Sequence, residues 1–179
     1  MARTRDASRF DPPPRALGRA EFVARFGSVY EHSPWVAQAA FDRRLSAAED
    51  TPQGLAAAMA GALASAGHDR KLALIRAHPD LAGRAAVAGE LTSASRSEQA
   101  SAGLGHCTPG EYRRFQELNA AYKQKFGFPF ILAVAGKMRH DILAAFESRI
   151  GNDPATEFET ALDQINRIAL VRLEKLAAT

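Results

Sequence analysis

Apolar and polar positions along this chain recur at helical spacing rather than in strand alternation. In the C-terminal stretch Phe158, Leu162, Ile165, Ala169 and Leu176 fall on one face when successive residues are turned by about 100°. Four helix starts carry the same signature, a capping side chain followed by proline: Ser33-Pro34, Thr51-Pro52, Thr108-Pro109 and Asp153-Pro154. In each, an oxygen can accept an orphan N–H while proline sits where no donor is needed. Thr108 also has Glu111 three residues on, the spacing of a capping box. These patterns predict helices near 19–26, 35–47, 53–66, 69–77, 84–89, 96–104, 109–125, 132–150 and 155–177. The segment Phe126-Gly127-Phe128-Pro129-Phe130 reads as an aromatic, proline-stiffened plug between two long helices. No repeat or low-complexity linker follows residue 17. The expected fold is all-α: a single compact multi-helix bundle of about eight to nine helices over residues 18–179.

Composition supports that reading. Of the 46% hydrophobic residues, 37 positions are Ala, the best helix former, against six Val and six Ile. Charge changes the picture only at the N-terminus. The formal net charge is +3, and residues 1–17 supply +2 of it through Arg3, Arg5, Arg9 and Arg15 against Asp6 and Asp11. The basic balance is thus mostly a tail effect, and a nucleic-acid partner is not expected. The basic, Pro-rich lead 1–17 holds no apolar run and reads as a disordered extension whose removal leaves activity intact. No stretch approaches the roughly 18 apolar residues of a membrane span. A single cysteine, Cys107, excludes an internal disulfide, and a cytoplasmic setting is the simplest expectation.

Three places could carry chemistry. At His78-Pro79-Asp80-Leu81-Ala82-Gly83, proline forces the preceding helix to stop at His78. The imidazole then sits at a helix C-terminus, where the dipole favours its protonated form. A solvated histidine at a helix stop explains the same residues more plainly. In the run from Leu91 to Leu104, Ser95 and Glu98 have capping-box spacing, and that structural role accounts for both. A helix N-terminus is also an anion site, to which Gln99 would add a donor and an acceptor. On the last helix Arg172 lies in the apolar stripe, whereas Arg167 faces the other way beside Asp163. An inward guanidinium is expensive unless it pairs with a carboxylate or lines a polar cavity.

Other constellations fail. The five histidines show no HxH or HxxxH spacing and no second cysteine joins them, so no zinc site is expected. Cys107 precedes a capped helix start, which would lower its pKa, but no orienting partner is visible for a thiol nucleophile. No glycine loop suits a phosphate.

Taken together, these segments resemble the 2-oxo-4-hydroxy-4-carboxy-5-ureidoimidazoline (OHCU) decarboxylase family. The resemblance runs from Phe26-Gly27-Ser28-Val29-Tyr30-Glu31-His32-Ser33-Pro34-Trp35 to Arg172-Leu173. Its most specific pieces are three. They are the His78–Gly83 run, Leu91-Thr92 with Ser95-x-x-Glu98-Gln99-x-x-Ala102-Gly103-Leu104, and Asn119-x-x-Tyr122-x-x-Lys125-Phe126-Gly127-Phe128-Pro129-Phe130-Ile131. The resemblance implies an all-α fold and conversion of OHCU to (S)-allantoin in uric acid breakdown, without metal or organic cofactor. It implies His78 as catalytic acid/base assisted by Glu98. Pro79, Ser95, Arg96, Ser97, Gln99 and Arg172 are implied as substrate contacts, with Phe130, Ile131, Leu132, Ala133 and Val134 lining the far side. A homodimer is implied by the resemblance alone. Two other functions fit the same residues: a cofactor-free hydrolase or lyase on a related ureide, and a catalytically silent helical ligand-binding module.

Overall fold

A computed structural model of the chain describes residues 9–83 and 90–178. Caps set most helix boundaries. Thr51 accepts from the Gly54 N–H at 3.2 Å, and Thr108 and Glu111 form the reciprocal box, each side chain accepting from the other's backbone N–H. Asp153 accepts from the N–H groups of Ala155 and Thr156. At the fourth predicted start, Ser33 makes no side-chain cap; Pro34 itself precedes the first turn. The helices are α1 (Arg19–Phe26), α2 (Trp35–Asp42), α3 (Pro52–Ala64), α4 (His68–Arg76), α5 (Ser93–Ser101), α6 (Pro109–Phe126), α7 (Arg139–Arg149) and α8 (Pro154–Ala177). Short 3-10 turns stand at Pro14–Ala16, Ala47–Asp50 and Leu104–His106. No strand occurs among the described residues, as the all-α expectation requires.

Two expected helices are much shorter in the structure. The helix expected over 35–47 ends at Asp42, because Arg44 takes a left-handed φ of 64° and Ser46 caps the 3-10 turn that follows. The helix expected over 132–150 starts only at Arg139, since residues 131–134 are not helical and a turn follows them, with Gly136 at φ 73° and the Lys137 N–H on the Val134 carbonyl. The helix expected over 84–89 lies outside the described residues.

The chain divides into two compact units, Met1–Lys71 with Asn166–Thr179, and Leu72–Ile165. In the first, Phe22 and Phe26 of α1 are fully buried with Val36 and Ala40 of α2 and Leu55 and Met59 of α3. The expected disordered lead is folded from residue 9. Phe10 is 3% exposed and meets the Phe26 ring edge-on at 5.1 Å. Its N–H donates to the Asp50 carbonyl, and the Arg15 guanidinium pairs with the Asp50 carboxylate at 2.9 Å. Phe10 and Pro14, both buried, supply the anchor. In the second unit Tyr122 is the centre, with Phe126, Phe128, Phe130 and Phe146 packed around its ring at centroid distances of 4.5 to 6.0 Å. The aromatic plug is therefore core, as the sequence suggests.

Candidate active site

Within the second unit, α4 ends as Pro79 demands, and the His78 side chain caps it. His78 is 8% exposed, and its Nδ1 lies 3.0 Å from the Leu74 carbonyl oxygen, which also accepts from the Ala77 N–H at 3.2 Å. A carbonyl only accepts, so Nδ1 carries the proton in this contact. The loop after His78 is tightly determined. Ala82 adopts a left-handed φ of 50°, a conformation costing a non-glycine residue roughly 1–2 kcal/mol. A Cβ at Gly83 would come within 2.6 Å of the Asp80 Cβ, so only glycine fits there.

Side chains from α5 and α6 hold this loop. Gln99 accepts from the Ala82 N–H at 3.1 Å and donates to the Asp80 carbonyl at 3.2 Å. Gln116 donates to the Ala82 carbonyl at 2.8 Å, and Asn119 to the Leu81 carbonyl at 3.0 Å. Lys123 pairs with the Asp80 carboxylate at 2.6 Å. Gln116, Asn119 and Lys123 are spaced at i, i+3 and i+7, one stripe of α6. Of that polar stripe, only Asn119 belongs to the motifs that carry the family resemblance.

α5 starts earlier than expected. Thr92 is its cap, accepting from the Ser95 N–H at 3.3 Å, so Ser95 is the third residue of the first turn and not the cap. Thr92 and Ser95 lie three apart, as do Ser95 and Glu98, so the spacing alone does not choose between the two caps. Ser95 and Gln99 turn inward at 5% exposure each, Glu98 is half-buried, and Arg96 and Ser97 are exposed. Arg96 donates to the Leu91 carbonyl. Pro79 is half-buried.

The Phe130–Val134 segment is fastened by its backbone. Arg149 donates to the Ile131 carbonyl at 2.7 Å, and the Ala133 N–H donates to Gln164 at 3.0 Å. Phe130, Ile131, Leu132 and Val134 are buried, and Ala133 is half-buried. Arg149 is in turn held by Glu157, whose carboxylate is wholly buried and also accepts from Tyr122 Oη and from Asn152 Nδ2. A buried carboxylate needs such company. Burial first, then Glu157, pushes the Tyr122 phenol well above its ordinary pKa. None of Arg149, Glu157 or Gln164 stood out in sequence.

In the first unit, α8 presents Arg172 inward at 7% exposure, while Arg167 is exposed, as the helical count requires. The Arg172 Nη1 donates to Glu31 Oε2 at 2.9 Å and to the Val29 carbonyl at 3.2 Å. Glu31 is only 2% exposed. The pairing carboxylate is thus found 141 positions away, inside the Tyr30-Glu31-His32-Ser33 run. His32 beside it takes a left-handed φ of 46°. Cys107 departs from expectation: burial first and then the Glu111 charge push its thiol up, against the weaker pull of Arg139.

Residues 15–174 match the family model described as OHCU decarboxylase. A Haloferax volcanii protein named 2-oxo-4-hydroxy-4-carboxy-5-ureidoimidazoline decarboxylase is 45% identical over 152 residues, 85% of this chain and 86% of its own. One of the same name from Amia calva is 37% identical over 161 residues, 90% of each chain. Among solved structures, that of (S)-allantoin synthase superposes with a TM-score of 0.73 at 36% identity, covering 91% of this chain and 52% of that longer one.

Proposed function

Because the chain belongs to the OHCU decarboxylase family, and so decarboxylates OHCU to allantoin in urate degradation, we propose that His78 is its acid/base group and Glu98 assists it. The seat of His78 carries this reading. Its ring is buried, its Nδ1 is committed to Leu74, and its loop is fixed by side chains of two helices.

The chemistry needs little else. OHCU bears its carboxylate on a ring carbon next to a C=N bond. The C–C bond breaks, CO2 leaves, and the electron pair moves toward that C=N, so the substrate contains its own electron sink. The nitrogen of that C=N gains a proton, the hydroxyl gives its proton up as its carbon becomes a carbonyl, and a proton delivered to one face of the neighbouring carbon completes (S)-allantoin, with one proton taken up net. A positioned acid/base contributes about 10²–10⁴-fold, roughly 3–5 kcal/mol of barrier. Orientation supplies much of the remainder. In this reading Ser95 and the backbone from Phe130 to Val134 contact the ring and ureido groups. Arg172 binds substrate at a ureido or ring oxygen. A guanidinium clamped on the departing carboxylate would stabilise the ground state and oppose its loss.

The reading extends to a cytoplasmic enzyme acting as a homodimer. No helix among the described residues is long and apolar enough to cross a membrane. Sedimentation velocity tests the assembly, and a monomer at working concentration removes the dimer. The main test generates OHCU freshly from urate and follows allantoin by circular dichroism. His78→Asn should lose about 10²–10⁴-fold in rate while keeping its helical spectrum. An unchanged rate sinks the acid/base role.

A further inference from the structure

The loop carrying His78 has no strand or helix to satisfy its backbone, yet four of its backbone groups are met by side chains. Three successive carbonyls, those of Asp80, Leu81 and Ala82, each accept from a side-chain amide: Gln99, Asn119 and Gln116 respectively. The Ala82 N–H is taken by the oxygen of Gln99. Gln99 therefore engages both edges of the turn, and Lys123 adds an ion pair to Asp80. A left-handed alanine persists only where its surroundings over-determine it, and Ala82 lies at the centre of this set. At the loop's other end, His78 is tied to α4 by its own Nδ1. A shift of the peptides at 80–82 would rotate the ring through Pro79, whose fixed φ transmits rather than absorbs motion.

We propose that Gln116 and Asn119, together with Gln99, are positioning residues that aim the His78 imidazole by replacing the missing secondary-structure partners of its loop. This rests on the acid/base role of His78. It gives Gln99 a hold on the loop, and it adds two residues of α6 to the catalytic apparatus. None of the three exchanges a proton with substrate. Their contribution is angular, and misplacement by about 1 Å can cost up to ~100-fold in rate.

The test is a double-mutant cycle on the full chain. Gln116→Met keeps length and bulk but removes the donor to Ala82, and His78→Asn removes the imidazole. Gln116→Met should lower kcat about tenfold with KM within about twofold, at an unchanged far-ultraviolet spectrum. In the His78→Asn background the same change should have no further effect, because its target is gone. Should Gln116→Met not fold, Gln116→Glu places an acceptor of the same shape against the Ala82 carbonyl and is expected to behave alike. A wild-type kcat in a folded Gln116 variant overturns the clamp and leaves His78 standing. A tenfold loss that persists without the imidazole also overturns it, since the residue then acts elsewhere. Full activity in His78→Asn alone overturns the acid/base reading itself, and the clamp with it.

Discussion

Replacing Glu31 with leucine isolates what the buried arginine is for. Arg172 and Glu31 are 7% and 2% exposed and share a 2.9 Å contact. Removing one member of such a pair takes the 2.9 Å counter-ion from a buried charge, which costs about 3–5 kcal/mol. That is a large part of the 5–15 kcal/mol typical of a whole domain. At this chain length it corresponds to a midpoint lowered by roughly 10 °C. Arg172→Met should cost a similar amount for the mirror-image reason. The double variant Glu31→Leu/Arg172→Met removes both charges at once, and apolar replacement of a buried pair is often neutral. It should therefore regain most of the lost stability while remaining catalytically poor, if the guanidinium touches substrate. Stability is read from urea unfolding by the fluorescence of the single tryptophan, Trp35, and activity from allantoin formation by circular dichroism. Wild-type kcat/KM in the refolded double variant would reduce Arg172 to a structural residue and refute its substrate role.

Three further outcomes are expected. Deleting residues 1–17 should destabilise the protein, because truncating a buried phenylalanine such as Phe10 alone costs about 3–5 kcal/mol; unchanged urea unfolding would restore the idea of an idle lead. Burial holds the phenols of Tyr30 and Tyr122 protonated beyond the ordinary range. Their contribution to stability is thus complete below the unfolded pKa of about 10 and is lost as pH rises above it. Native-state absorbance near 295 nm that titrates fully by about pH 10 would contradict this. The raised Cys107 thiol should react slowly with an aromatic disulfide reagent at about pH 8, slower than a free cysteine; a faster reaction would count against the burial effect.

Helix existence was legible in sequence because caps and prolines act locally. Thr51, Thr108 and Asp153 each sit within three residues of the N–H they satisfy. The inward direction of Arg172 was legible too, since a helical face is a matter of counting. Failures arose where two local solutions competed, as with Thr92 and Ser95, or where one residue outweighed its surroundings, as with Phe10. The bridges between distant segments were illegible for a different reason. The Glu31–Arg172 pair and the amide bonds to residues 80–82 close loops of 17 to 141 positions, and no periodicity encodes such a partner.

Glu157 draws Tyr122, Arg149 and Asn152 into a single buried hub, and through Arg149 it reaches the Ile131 carbonyl. Such a hub constrains how the gene can drift. A lineage that lost Arg149 would strand an anion in oil, and one that lost Glu157 would strand a cation. Both intermediates are poor, so these positions should be exchanged as a set or not at all across the descendants of this sequence.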